Sequence, residues 1–217
     1  MAPDTKEYSM PYHEITTDKS FANINAITGA LNLKTLPQYL EECYNILQQT
    51  NSSSRTLDGL VVIRLCSSHT TKTIRDDVRK HFTEHEFYVC RLIGTMFNLK
   101  TFSDLEEYIK SVIIIFMSPT KGITFLYALA VVDSASGAQV QPAVPHELDN
   151  QEHQFPANDE ARKLHKAIYK NSQFFQLFSS YADTLAFDDE LDDEVNELFC
   201  PEFVRRFLKN HISYLPL

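Results

Sequence analysis

The chain has 217 residues, of which 43 % are hydrophobic and 23 % are charged, a composition typical of folded globular domains that excludes wholesale disorder. Its 20 basic and 29 acidic residues give a formal net charge of −9, the wrong sign for a phosphate backbone, so nucleic acid is not an expected partner. The length is sufficient for one principal domain with its own core.

The first twenty residues are polar, and they lack the basic start and apolar run of a secretory signal. We predict an extended arm over residues 1–20 and no export signal. The longest apolar stretch, residues 111–132, is interrupted by "SPTKG", so no membrane span is expected. The four cysteines include no C-x-x-C pair, which favours reduced thiols in a cytoplasmic or nuclear protein.

Residues 21–132 show short apolar runs that alternate with amphipathic segments. A helical lead-in, "LPQYLEECYNILQQ", precedes the run "GLVVIRL"; the helical segment "TKTIRDDVRKHFTEH" comes next, followed by "EFYVCRLI". The capping-box pattern "SDLE" opens another helix, and "SVIIIFM" and "ITFLYALAVV" follow it. This order predicts an α/β fold with three layers, in which helices flank a mostly parallel sheet of four strands.

The chain changes character again after this core. Residues 133–156 are rich in Ser, Gln, Pro and Asp, so we predict an irregular linker or surface excursion. Residues 157–217 are expected to form a helical C-terminal region that packs on the core. Its last helix carries an apolar stripe with Phe203, Phe207 and Leu208, which must dock either on the core or on another chain.

The most suggestive motif is "HFTEH", from His81 to His85. Its H-x-x-E-H spacing resembles the inverted zinc motif of the inverzincin metallopeptidases. That resemblance implies that His81 and His85 are zinc ligands and that Glu84 is the general base, with a third ligand further along the chain. The candidates for this third ligand are Glu147, Glu152 and Glu160.

Helical geometry favours a different role for the two histidines. At ~100° per residue, His81 and His85 fall on the same stripe as Ile74 and Val78, which should face the core. We therefore predict that both histidines are packed side chains near a helix end, and we retain a zinc-dependent hydrolase as an alternative.

A second hydrolase alternative rests on Cys66 and His69, which follow the predicted strand "GLVVIRL". The carboxyl ends of parallel strands are the usual place for sites in α/β folds, and a thiol beside a histidine can act as a nucleophile. Ser67 and Ser68 could instead cap the next helix. The segment "RLCSSHTTKT" contains no glycine, which argues against a phosphate-binding loop.

The predicted order of strands and helices is similar to that of the caspase-like fold. In that family the catalytic His follows the third core strand in an S-H-G context and the catalytic Cys follows the fourth. The corresponding places here read "FMSPTKG" and "VVDSASG", without His or Cys. The resemblance therefore implies a catalytically dead, regulatory relative.

The segment "FDDELDDEVNEL" is strongly acidic and lacks the spacing of a calcium loop. It is expected to be a solvated helix start or a contact with a basic partner. Our first hypothesis is a non-enzymatic regulatory or assembly component that acts through surfaces, without a cofactor, on another protein or a second copy of itself. Its expected contacts are the C-terminal stripe and four aspartates: Asp188, Asp189, Asp192 and Asp193.

Overall fold

The computed structural model describes residues 14–18, 20–48, 60–136, 170–185 and 194–214. Within these ranges the fold is mostly helical and contains a single parallel pair of strands, so the predicted four-stranded, three-layer α/β fold is wrong. The strands are β1 (Glu14–Thr17) and β2 (Val62–Leu65). The helices are α1 (Phe21–Leu31), α2 (Leu36–Gln48), α3 (Ser67–His81), α4 (Glu86–Thr95), α5 (Phe102–Met117), α6 (Ile123–Ser136), α7 (Gln173–Thr184) and α8 (Pro201–Asn210), with 3-10 turns at Met96–Asn98 and Ile212–Tyr214.

The strands β1 and β2 pair in parallel, with Ile15 opposite Ile63. The connection between them contains α1 and α2, as a parallel pair requires a long crossover. The backbone N–H of Cys66 extends the ladder by donating to the carbonyl of Thr17 at 2.7 Å. Part of the predicted N-terminal arm is therefore a strand, although its sequence shows no strand periodicity.

Side chains close the other edge of β2. The side chain of Asn32 donates to the Val61 carbonyl at 3.0 Å and accepts from the Val61 N–H at 2.8 Å. The N–H of Ile63 donates to the hydroxyl of Tyr39 at 2.9 Å. These bonds satisfy backbone groups that a third strand would otherwise have to pair, and they stabilise a small sheet whose core-facing side is buried.

Three of the four predicted strands are helical. "EFYVCRLI" lies in α4, "SVIIIFM" forms the second half of α5, and "ITFLYALAVV" begins α6. Helix α5 is buried on nearly all sides over its last eight residues, so its sequence has no polar face to reveal a helical period. A continuous apolar run is compatible with either a buried strand or a buried helix, and here the helix forms.

Helix α5 begins earlier than the capping-box pattern predicts. The N-cap is Thr101, whose hydroxyl accepts from the N–H of Asp104 at 3.1 Å, and the first helical residue is Phe102. Ser103 is therefore inside the first turn. The helix also continues through Lys110 and Ser111, so the amphipathic half and the apolar half form one helix of 16 residues.

The main core surrounds α5, which contacts α6, α7 and α8. An aromatic cluster holds α8 in place: the Phe203 ring lies 5.1 Å from Phe82 and 5.2 Å from Phe116, measured between ring centroids. A smaller cluster joins α1, α2 and β2, and Tyr44 connects it to α7 through an edge-on contact with Phe174 at 4.9 Å.

The segment before α8 is extended and turned, although the sequence predicts a helix over residues 188–199. Within the described residues 194–199, Val195 forms an antiparallel bridge with Thr120, and Asn196 is buried. The Asn196 side chain donates to the carbonyls of Ile115 and Ser118 at 2.6 and 2.7 Å. These bonds occupy carbonyls at the end of α5 and fix the path into α8.

Helix α6 extends to Ser136, so the first four residues of the predicted linker are helical. The rest of that linker, residues 137–156, lies outside the described residues. Among the helices that the structure describes, none has both the length and the apolarity needed to cross a membrane.

Candidate functional site

The two histidines of "HFTEH" do not lie on one helix. His81 is the last residue of α3, residues 83–85 form a turn, and His85 is the N-cap of α4. Phe82, between them, is buried with Ile74 and Val78 on the predicted stripe. The change of direction removes the same-face geometry on which the zinc comparison depends.

The surroundings of the histidines include residues from the C-terminal region. His81 Nδ1 lies 3.8 Å from Cys200 Sγ, and its ring meets Phe203 edge-on at 5.9 Å. His85 Nε2 lies 3.5 Å from a carboxylate oxygen of Glu197. An open depression of about 510 Å³ is lined by residues 81–85, including Glu84, and by Glu197.

This depression does not bring metal ligands together. In the described part of the chain, no three His, Cys, Asp or Glu side chains converge in a way that could hold a metal ion. The third-ligand candidates Glu147, Glu152 and Glu160 lie outside the described residues. His81 instead packs against the rings of Phe82 and Phe203 and shares a long hydrogen bond with the Cys200 thiol.

Cys66 and His69 lie where β2 ends and α3 begins. Cys66 is the N-cap of α3, and it remains partly exposed. The backbone N–H of His69, then the His69 side chain and the backbone N–H of Ser68, hold the pKa of the Cys66 thiol below its usual value, although none of them makes a capping hydrogen bond to the Cys66 side chain. A helix N-terminus has this effect because its free N–H groups stabilise a thiolate.

Two other cysteines have the opposite environment. Burial raises the pKa of Cys43 to about 11, and burial also raises the pKa of Cys90. Their thiols are therefore neutral side chains that pack in the apolar interior. Of these three thiols, Cys66 is the one whose surroundings favour reactivity.

The expected contact residues of the C-terminal stripe are core residues. Phe203, Phe207 and Leu208 are 1–3 % exposed, and they pack in the main cluster of the same chain. The four aspartates expected to contact a partner, Asp188, Asp189, Asp192 and Asp193, lie outside the described residues.

An apolar face of α6 is exposed, in a segment for which the sequence predicts a buried strand. Ile123, Leu126 and Tyr127 are 67 %, 53 % and 65 % exposed, and together with Ala130 they form what we call the α6 stripe. These positions are spaced i, i+3, i+4 and i+7, so they share one face of the helix. The opposite face, with Phe125, is buried. Reading "ITFLYALAVV" at helical spacing would have shown that both faces are apolar.

A buried carboxylate also escaped the sequence analysis. Asp77 on α3 is 8 % exposed and accepts from His211 Nε2 and Arg206 Nη2, each at 3.2 Å, and from Lys80 Nζ at 3.3 Å. Burial by itself raises the pKa of Asp77, but the hydrogen bond and charge of His211, followed by those of Lys80, outweigh it and hold this pKa well below its usual range. The cluster joins α3 to the C-terminal end of α8.

Comparison with protein-family models, with curated proteins and with solved structures finds no match to this chain.

Proposed function

We propose that this chain is a non-enzymatic regulatory or assembly component that binds protein through the α6 stripe. One observation carries the proposal: three large apolar side chains on consecutive turns of one helix face water. Single exposed apolar residues are ordinary, but a contiguous apolar face is typical of an interaction surface.

The occupant that we assign to the stripe is α6 of a second copy of this chain. The stripe contains no charged residue, so it offers no electrostatic selection for an oppositely charged partner. Two copies can meet there through uncharged side chains, despite the net charge of −9. A two-fold axis would place the α6 stripe of one copy against the α6 stripe of the other. Two-fold symmetry is the commonest symmetry of protein assemblies.

The substitution Leu126→Asp tests this surface. We expect wild-type protein to dimerise and the variant to be monomeric, because each dimer would bury two unpaired carboxylates. The free energy of unfolding of the monomer should change by less than about 0.5 kcal/mol, since Leu126 is exposed there. Light scattering coupled to size-exclusion chromatography measures the mass, and circular dichroism measures the fold.

Leu33→Asp is the matched control. Leu33 is 87 % exposed in the turn after α1, and its φ of 52° is a conformation that aspartate tolerates. This variant should dimerise like the wild type. A wild-type chain that stays monomeric at high concentration, or a dimer that survives Leu126→Asp, would contradict the assignment.

A second candidate function is thiol-dependent hydrolysis at Cys66, favoured by its position at the N-terminus of α3 and by the lowered pKa of its thiol beside His69 and Ser68. In this alternative the Cys66 thiolate is the nucleophile, and His69 stabilises the thiolate by lowering the pKa of the thiol. The zinc-dependent alternative has no comparable support from the geometry of the described residues. The caspase-like alternative loses its premise, since the strand and helix order that suggested it is not the order observed.

Alkylation with iodoacetamide tests the thiol. We expect Cys66 to react before Cys43 and Cys90, with a rate that reaches its plateau at a lower pH than the ~8.5 of an ordinary cysteine. The variant His69→Ala should shift the midpoint of this profile upward, because the His69 side chain no longer lowers the pKa of the Cys66 thiol. Peptide mapping by mass spectrometry gives the rate for each thiol, and an unshifted midpoint in both proteins would argue against the candidate.

The cytoplasm or nucleus is the compartment that we propose. All four cysteines are free in the structure, as expected in a reducing environment. The net charge of −9 continues to argue against nucleic acid as a partner.

A further inference from the structure

A cavity of about 600 Å³ lies between α2, β2, the 3-10 turn after α4 and the start of α5. Its volume is in the range of small-molecule sites. The wall is largely apolar, with Ile46, Leu47 and Leu60 on one side and Phe102 and Leu105 on the other. Cys43 adds no charge to the wall, because burial raises the pKa of its thiol to about 11.

The charged groups that line this cavity are both basic. They are Arg64 and Lys100, and no Asp or Glu is among the lining residues, although the whole chain carries −9. Arg64 Nε already pairs with Glu14 Oε1 at 3.0 Å. Lys100 is exposed and makes no salt bridge with any residue in the described ranges, so its ammonium group is available to an anion.

The start of α5 adds to the positive potential, although Asp104 in its first turn offsets part of this effect. Thr101, the N-cap of α5, lines the cavity directly after Lys100. The N-terminus of a helix carries partial positive charge, so a lysine next to it is unfavourable for the helix, whereas an anion there is favourable. An anion bound between Lys100 and the start of α5 would interact favourably with both.

We propose that this cavity binds a single-chain amphiphile with an anionic head, of the fatty carboxylate class. The alkyl chain lies against the apolar wall, and the carboxylate lies at Lys100 and the first turn of α5. Phe97 also lines the cavity and is 59 % exposed, which places an aromatic ring at its rim.

The substitution Phe97→Trp allows ligand binding to be measured by fluorescence. The chain has no tryptophan, so Phe97→Trp creates a single fluorescent reporter at the rim, in an exposed position that tolerates the change. Titration of this full-length variant with dodecanoate, below its micelle concentration, should give a saturable change in emission with one site per chain. Dodecyltrimethylammonium has the same chain with a cationic head and should bind at least about tenfold more weakly.

Lys100→Gln, introduced with the reporter, should weaken dodecanoate binding about tenfold. Arg205→Gln removes an exposed positive charge on α8 that does not line the cavity, and it should leave the affinity unchanged. Three results would overturn the proposal: no saturable change, equal affinity for the cationic amphiphile, or equal weakening by both substitutions. Binding to phosphatidylglycerol vesicles in sedimentation, without binding of free dodecanoate, would also overturn it.

Discussion

Replacement of Phe207 by aspartate is expected to unfold the chain. Phe207 is 2 % exposed and lies between Phe203 and His211, with ring centroids 5.8 Å from each. Loss of a buried Phe side chain costs about 3–5 kcal/mol, and burial of an unpaired carboxylate adds several more. The sum is comparable to the whole stability of a typical domain, about 5–15 kcal/mol.

The measurement is circular dichroism with thermal melting on Phe207→Asp and on Phe87→Asp. Phe87 on α4 is 78 % exposed, so the same change of side chain there should leave the melting curve nearly unaltered. A folded Phe207→Asp protein with a wild-type melting temperature would show that α8 is not part of the core in solution.

Asp77→Asn is expected to lower the free energy of unfolding by about 3 kcal/mol at neutral pH, since it leaves the buried His211 side chain without its charged acceptor. Three groups donate to this carboxylate, and the side chain of His211 is only 5 % exposed. Chemical denaturation measures the effect, which should appear as a shift of the midpoint. Asp76→Asn is the control, because Asp76 is the neighbouring residue of α3 and is less buried.

The same cluster predicts a dependence on pH. The pKa of Asp77 is lower in the folded chain than the ~3.9 of an unfolded aspartate. The carboxylate therefore contributes its full stability above about pH 4–5, and the contribution is lost as the pH falls below that value towards the folded pKa. The difference in stability between wild type and Asp77→Asn should be largest at neutral pH and should shrink in acid. A difference that does not change between pH 7 and pH 3 would contradict this account.

Helical spacing was sufficient to predict part of the fold. Three segments have one polar and one apolar face, and the structure buries the apolar face of each. They are α2, the segment with Ile74, Val78 and Phe82, and α8. The short run that forms β2 was also recognised as a strand. In each of these helices the sequence contrasts a polar side with an apolar side, which only a helix separates.

The apolar runs in α4, α5 and α6 give no such contrast. The isoleucines of "SVIIIFM" favour a strand by propensity, but packing on all sides of α5 decides for a helix. One signal was available in the sequence. The predicted helix ends at Lys110 and the predicted strand begins at Ser111, so no turn residues remain to connect a helix to a strand there. Tertiary packing, which the sequence does not display, decided the rest.

The candidate sites differ in the same way. Cys66 and His69 are three residues apart, so a local pattern could identify them. Asp77 and His211 are 134 residues apart in the chain, and no motif connects them before the fold does. "HFTEH" illustrates the opposite error, because a five-residue pattern assumes one continuous helix and α3 ends inside it.

The side chains of Asn32 and Tyr39 have a consequence for how this chain can meet other chains. They occupy the backbone groups of Val61 and Ile63 that an extended peptide would use to add itself as another strand. An incoming strand at that edge would have to break three buried hydrogen bonds before it could form its own. We therefore expect β2 to resist donor-strand exchange and edge-to-edge aggregation, a protection that larger sheets obtain from charged residues or bulges.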